Sequence, residues 1–235
     1  MSLANLKLWN RVNAELQISN RIVGGIPTDP KLIEAWIAAR MPEYSAAERE
    51  AIAKKTVAEL GEATEDAAAG MWTTFKRNAS GIYIESRQIK AMIKEASNVM
   101  RELLTKAEAK AKGKEEKTSK SKYTNLRAKA AERIYVEADV VPLLTADGQP
   151  IPKPDGSEER PIHVMTPMGP RNALKRVDYA GPGTKIRFSM RYLADGLVDM
   201  ELLNVLFEYA KWNGLGANRS QGDGRFEVLK LEEIA

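Results

Sequence analysis

The chain has 235 residues, of which 43% are hydrophobic and 29% charged, a composition typical of a globular protein with a substantial core. It contains no cysteine, which excludes disulfides and thiolate–zinc sites and gives no sign of secretion. The net charge of +4 favours polyanionic partners only weakly. No apolar run approaches the roughly 20 residues of a membrane span, and the N-terminus lacks a signal-peptide pattern. We therefore expect a cytoplasmic protein without a membrane partner.

The N-terminal elements are predicted from periodicity and from helix-start signals. Residues 6–18 alternate between apolar and polar side chains, which indicates a half-buried strand. Residues 30–77 contain several helix starts, including an Asp-Pro pair and a capping box. We interpret 30–80 as a helical insertion, in which Trp72 and Phe75 would pack down a third helix.

The middle of the chain is predicted to pass from strand to helix to loop to strand. Residues 81–85 suit a short strand, and apolar residues from Ile89 to Leu103 recur with the period of a helix. The lysine-rich segment 105–124 is predicted to be a mobile loop. Residues 133–144 are predicted to form another strand.

A long hairpin-like excursion is predicted after that strand. Asp-Gly turn signals occur between residues 146 and 156, and 161–165 suits a returning strand. Residues 174–179 are predicted to pair with 185–192 across a Gly-Pro-Gly turn.

The chain closes with an apolar helix at 197–212, a glycine-rich loop and a strand at 225–231. Without its insertions the order is β-α-β-β-α-β. This order predicts the α+β class with a ferredoxin-like, or RRM-like, core formed by residues 1–29 and 81–235.

The glycine-rich loop reads Asn213-Gly-Leu-Gly-Ala-Asn-Arg-Ser-Gln-Gly-Asp-Gly224. Such glycine density lets backbone N–H groups approach an anion closely, and a nucleic-acid phosphate suits it. The alternative is a tight helix-to-strand connection that needs positive φ angles. Neither the Walker spacing nor the position of a dinucleotide fingerprint is present. The predicted phosphate contacts are Arg219 and the backbone of Gly214, Gly216, Gly222 and Gly224.

This core and loop together resemble the RAMP (repeat-associated) superfamily, the CRISPR RNA-binding backbone and processing proteins. Residues 213–224, with the Arg-Phe-Glu-Val that follows, are similar to the family pattern Gly-Leu-Gly…Arg-Ser-x-Gly-x-Gly-Arg-Phe. The Arg21-Ile-Val-Gly-Gly turn and the Tyr83-Ile-Glu-Ser-Arg-Gln-Ile-Lys segment resemble two further family elements.

The resemblance carries expectations about partners. Glu85, Arg87 and Ala91 depart from the family pattern in the strand-to-helix element. The family implies binding of RNA or of single-stranded nucleic acid, with Arg21 and Lys90 as secondary contacts, and it does not by itself imply a nuclease. It also implies assembly, either as a homo-oligomer or as one subunit of a ribonucleoprotein complex.

The residues themselves predict a nucleic-acid surface on the open face of the sheet. Basic side chains interleaved with aromatic ones suit phosphate pairing and base stacking. The residues on this face are Trp9, Arg11, Tyr135, Lys185, Arg187 and Arg191. The alternative is a solvated face with Trp9 and Tyr135 packed under the insertion, and Glu15, Glu137 and Asp139 reduce its positive charge.

Two rival functions stay open. The single histidine, His163, is the candidate general acid or base of a metal-independent endoribonuclease, although its place in a strand-like run is more typical of a structural residue. The other rival is a structural assembly protein of a phage or mobile element. No metal or cofactor pattern is present. We therefore expect a non-catalytic protein that binds single-stranded RNA or DNA without a cofactor.

Overall fold

The computed structural model describes residues 7–60, 71–113, 121–166 and 169–234, and it has a mixed α+β architecture with mostly antiparallel sheets. The strands are β1 (Trp9–Ile18), β2 (Ile22–Val23), β3 (Ile26–Pro27), β4 (Met71–Thr74), β5 (Lys76–Asn78), β6 (Gly81–Glu85), β7 (Ile134–Val136), β8 (Val140–Leu144), β9 (Gly156–Thr166), β10 (Gly169–Ala180), β11 (Lys185–Leu193) and β12 (Phe226–Ile234). The helices are α1 (Pro30–Arg40), α2 (Ala46–Leu60), α3 (Ser86–Ala111), α4 (Leu126–Arg133) and α5 (Met200–Asn213).

The larger sheet has the strand order β12-β1-β11-β8-β6-β5, and β7 also pairs with β11. Its two central strands, β1 and β11, are antiparallel, with Val12 opposite Met190. Their even-numbered residues are buried in the main core together with apolar residues of α3 and α5. Because side chains alternate along a strand, the odd-numbered residues lie on the opposite face. The strands predicted within 6–18 and 185–192 are confirmed.

A second sheet has the order β2-β10-β4-β3, with β9 also paired to β10. Strands β9 and β10 are antiparallel from Gly156 opposite Tyr179 to Thr166 opposite Gly169, which agrees with the predicted excursion. The predicted pairing of 174–179 with 185–192 is wrong. Strand β10 pairs with β9, β4 and β2, whereas β11 pairs with β1, β7 and β8.

The physical reason lies in the connection between β10 and β11, where the chain crosses between the two sheets. Asp155 Oδ2 accepts a hydrogen bond from Gly181 N at 2.7 Å. Gly183 N donates to Ile18 O at 2.8 Å. The first bond holds the connection beside the start of β9 and the second holds it against the end of β1, so it does not close a hairpin.

The helical insertion contains two described helices, α1 and α2, which surround a small apolar cluster of their own. Asp29 caps α1 through its side chain, and Ser45 and Glu48 bond reciprocally at the start of α2. The start of the predicted third helix lies outside the described residues. Trp72 belongs to β4 and Phe75 follows it directly, so these two residues do not lie on a helix. The run of β-branched threonines beside them favours a strand.

Helix α3 continues to Ala111, which corrects the predicted loop 105–124 over its first residues. Alanine and lysine are strong helix formers, and the side chain of Ala109 is buried. Glu108 fastens the helix end by accepting from Ser121 Oγ at 2.6 Å. Residues 114–120 lie outside the described part. The strand predicted at 133–144 is divided into β7 and β8, and it is preceded by α4, which sequence patterns did not indicate.

Candidate nucleic-acid interface

The polar face of β1 and β11 brings together four cationic side chains predicted from sequence. The register places Arg11 opposite Arg191 and aligns Lys185 and Arg187 beside them along β11. The three arginine side chains are 48–52% exposed. Helices α3 and α5 pack against the opposite, buried face, and the exposure of the arginines leaves their side chains accessible to a ligand.

Two glutamates lie between these cations and neutralise part of their charge. Glu15 Oε1 is 3.0 Å from Arg187 Nη2 and 3.9 Å from Lys185 Nζ. Glu137 lies 2.7 Å from Arg11 Nη2 and 2.5 Å from Arg191 Nε. A hydrogen bond from Arg187 lowers the pKa of Glu15, and one from Arg191 lowers the pKa of Glu137. Both carboxylates are therefore ionised at neutral pH and compete with any phosphate.

An aromatic pair borders this surface. The rings of Trp9 and Tyr135 meet edge to face, with centroids 5.4 Å apart. Lys90 Nζ lies 4.2 Å from the centroid of the Tyr135 ring. Trp9 is 37% and Tyr135 45% exposed, so neither is packed beneath the insertion. We name the set Trp9, Arg11, Tyr135, Lys185, Arg187 and Arg191 the open face.

The glycine-rich loop is held together by backbone contacts. Gly214 and Gly224 have φ angles of +86° and +79°, and a Cβ on either would overlap loop backbone. Gly214 N donates to Ala210 O at 2.8 Å, and Gly224 N donates to Arg21 O at 2.7 Å. Gly222 N likewise donates to Arg219 O at 2.8 Å. These three amides thus already have acceptors within the protein. A side chain at Gly216 would press against Ile22.

A charged clip joins the loop to two other segments. Asp223, only 2% exposed, accepts from Arg21 Nε at 3.0 Å and from Arg160 Nη1 at 2.7 Å. Arg21 also pairs with Glu158. Arg160 was missed by sequence reasoning, because its position in β9 carries no signal of a contact 63 residues away.

Arg219 lies in a short 3-10 turn and points to helix α3. Its Nη1 is 2.5 Å from Glu95 Oε2, an ion-pair distance without hydrogen-bond geometry. Its side chain is 26% exposed. Arg219 and Arg21 are thus both engaged with carboxylates, like the cations of the open face.

His163 lies in β9 with Asn172 opposite it, and its side chain falls outside what the structure describes. Among the described residues, no group of three His, Asp or Glu side chains could hold a metal ion. No described helix is long and apolar enough to cross a membrane.

No protein-family model and no curated protein matches the chain. It is similar to a chain of the cryo-EM structure of the Type III-B Cmr-beta bound to cognate target RNA, with a TM-score of 0.47 and 16% sequence identity. The similarity covers 97% of this chain and 61% of that chain, so this protein spans less than two thirds of its neighbour's length.

Proposed function

We propose that the protein binds single-stranded RNA across the open face, without cleaving it. The observation that carries the proposal is the open face itself, where four cations and two aromatic rings are placed together and left accessible. Cations bind phosphates, and the rings of Trp9 and Tyr135 offer stacking surfaces to bases.

The charge of the open face suits a moderate, salt-sensitive affinity. Each glutamate pairs with two cations, so each group of one glutamate and two cations keeps a net charge of one positive unit. The two groups are Glu15 with Lys185 and Arg187, and Glu137 with Arg11 and Arg191. A phosphate that approaches Arg187 or Arg191 has to displace or share the contact with Glu15 or Glu137. A stacked base adds about 1–3 kcal/mol, which makes the aromatic border as important as the cations.

The wider assembly is part of the same proposal. The order β12-β1-β11-β8, with α3 and α5 on the buried face, supports a ferredoxin-like core built from 1–29 and 81–235, with 30–80 inserted. Together with the glycine-loop sequence, it supports a RAMP-type backbone subunit of a cytoplasmic ribonucleoprotein. The predicted phosphate contacts of the loop glycines, Arg219 and Arg21 stay predictions.

The test is a fluorescence-polarisation titration with unstructured RNA and DNA oligonucleotides at several salt concentrations. We expect the protein to bind RNA with an affinity that decreases as salt rises. The slope of log affinity against log salt concentration should be smaller by about 1.4 in the Arg187→Ala/Arg191→Ala variant, since each single-strand phosphate contact contributes about 0.7 to that slope. Lys54→Ala/Lys55→Ala removes two cations from α2, where both are more than three-quarters exposed, and serves as the control.

Several outcomes would overturn the proposal. Absence of binding at low salt would remove nucleic acid as the partner, and equal affinity for DNA would remove the preference for RNA. An equal loss of RNA affinity in the Arg187→Ala/Arg191→Ala variant and in the Lys54→Ala/Lys55→Ala control would show that the open face is not the binding site. Cleavage of the RNA by the parent protein, lost in His163→Ala, would favour the endoribonuclease.

A further inference from the structure

A second group of cations lies where α3 and α4 form a concave pocket of about 320 Å³. The pocket is lined by Ala91, Lys94, Glu95, Asn98 and Arg127. Lys90 lies one turn before Lys94 on α3, and Arg219 reaches Glu95 from the glycine-rich loop. Three elements that are distant in sequence thus direct cationic residues to one place.

The charges of this pocket are not balanced by the protein. Within the described residues, neither the Lys94 nor the Arg127 side chain has an ion-pair or hydrogen-bond partner. The one carboxylate that lines the pocket, Glu95, is engaged by Arg219. Lys90 and Lys94 are like charges one turn apart on α3 and repel each other, and burial together with this repulsion lowers the pKa of Lys90. An anion in the pocket would relieve that repulsion.

Lys90 connects the open face with the helix that lines this pocket. The Lys90 ammonium lies over the Tyr135 ring, and that ring contacts Trp9. The step from Lys90 to Lys94 is one helical turn, about 6 Å along α3. A strand stacked on the aromatic pair would therefore meet the next unpaired cations at Lys94 and Arg127.

We propose that this pocket, which we call the α3–α4 pocket, binds the phosphate backbone of the RNA strand after it leaves the open face. The inference rests on the proposed function, and it assigns two further contacts, Lys94 and Arg127. The pocket lengthens the bound segment, so long strands contact it and short strands do not.

The test compares a short RNA of about 5 nucleotides with a long one of about 15, a range typical of single-strand binding sites. In Lys94→Ala/Arg127→Ala we expect the affinity for the long RNA to fall by about 25-fold at 0.1 M salt, because two phosphate contacts are lost. The slope of log affinity against log salt concentration should be smaller by about 1.4 for the same reason. Affinity for the short RNA should change less than about 2-fold. Lys54→Ala/Lys55→Ala is again the control for net charge, and thermal unfolding checks that each variant folds.

The two proposals fail separately in this design. If Lys94→Ala/Arg127→Ala matches the control on the long RNA while Arg187→Ala/Arg191→Ala weakens both RNAs, the pocket is overturned and the open face stands. If Lys94→Ala/Arg127→Ala reduces the affinity for the short RNA as much as for the long one, the proposal that the strand reaches the pocket only after leaving the open face is overturned. If the open-face variant changes neither RNA, the proposed function itself fails.

Discussion

Glu15 and Glu137, which pair with the cations of the open face, give the sharpest test of how this surface binds RNA. In Glu15→Gln/Glu137→Gln the shape of both side chains is kept, but the carboxylates that bridge four cations are removed. A phosphate then no longer has to compete with a carboxylate for Arg187 and Arg191. If the open face is the RNA site, this variant will bind more tightly than the parent, although it loses four ion pairs.

The size of the gain follows from the ion pairs. An exposed ion pair contributes about 0.2–1 kcal/mol. Each glutamate side chain is only 20–21% exposed and contacts two cations, while the arginines are about half exposed. We therefore expect a total competition of about 1–2 kcal/mol, which corresponds to about 5- to 30-fold tighter RNA binding.

The assay is RNA titration by fluorescence polarisation at several salt concentrations, with a matched variant that loses two charges elsewhere. Glu34→Gln/Glu43→Gln is suitable, because both residues are exposed and lie in the helical insertion, away from the open face and from the α3–α4 pocket. Any effect of net charge alone will be seen in that control. If Glu15→Gln/Glu137→Gln binds no more tightly than the control, or more weakly than the parent, the competition argument is refuted.

Three further predictions concern stability. Gly224→Ala should lower the unfolding free energy by about 3 kcal/mol or more, because φ is +79° and a Cβ would overlap Leu215. Gly113→Ala, which has open space around it, should lower the unfolding free energy by only about 1 kcal/mol. Urea denaturation of the two variants measures this difference. Asp223→Asn should remove about 3 kcal/mol and lower Tm by about 6–12 °C in calorimetry, and an unchanged Tm would contradict the role of the charged clip. The lowered pKa values of Glu15 and Glu137 stabilise the fold above pH 4.5, so the stability difference between the parent and Glu15→Gln/Glu137→Gln should shrink as pH falls below that value.

The sequence predicts those parts of the fold whose signal is local. The alternation in β1 and β11 reports burial directly, so both strands and the composition of their polar face followed from it. The helical period of α3 and the apolar surface of α5 were equally readable. Strand pairing was not, because β10 and β11 are neighbours in sequence but belong to different sheets. A Gly-Pro-Gly connection suits a hairpin and a crossing between sheets alike.

The candidate site shows the same limit at the level of single contacts. Alternation placed Arg11, Arg187 and Arg191 on one face, but it did not reveal that Glu15 and Glu137 each bridge two cations. Such pairing depends on register, which a strand does not encode alone. Lys94 and Arg127 carry no sequence signal as a pair, since α4 itself was not predicted.

The glycine-rich loop illustrates how one pattern can report two different properties. Dense glycines indicate close approach of backbone, and the close approach described here is to the protein's own chain, at Leu215 and Asp223. Three of the four glycine amides in the loop already donate within the fold, so an anion would have to replace those bonds to use them. Lys94 and Arg127 of the α3–α4 pocket need no such exchange, because neither side chain has a partner among the described residues. If RNA binds along this molecule, the loop's contribution is therefore to hold Arg219 against Glu95 of α3, beside these two unpaired cations.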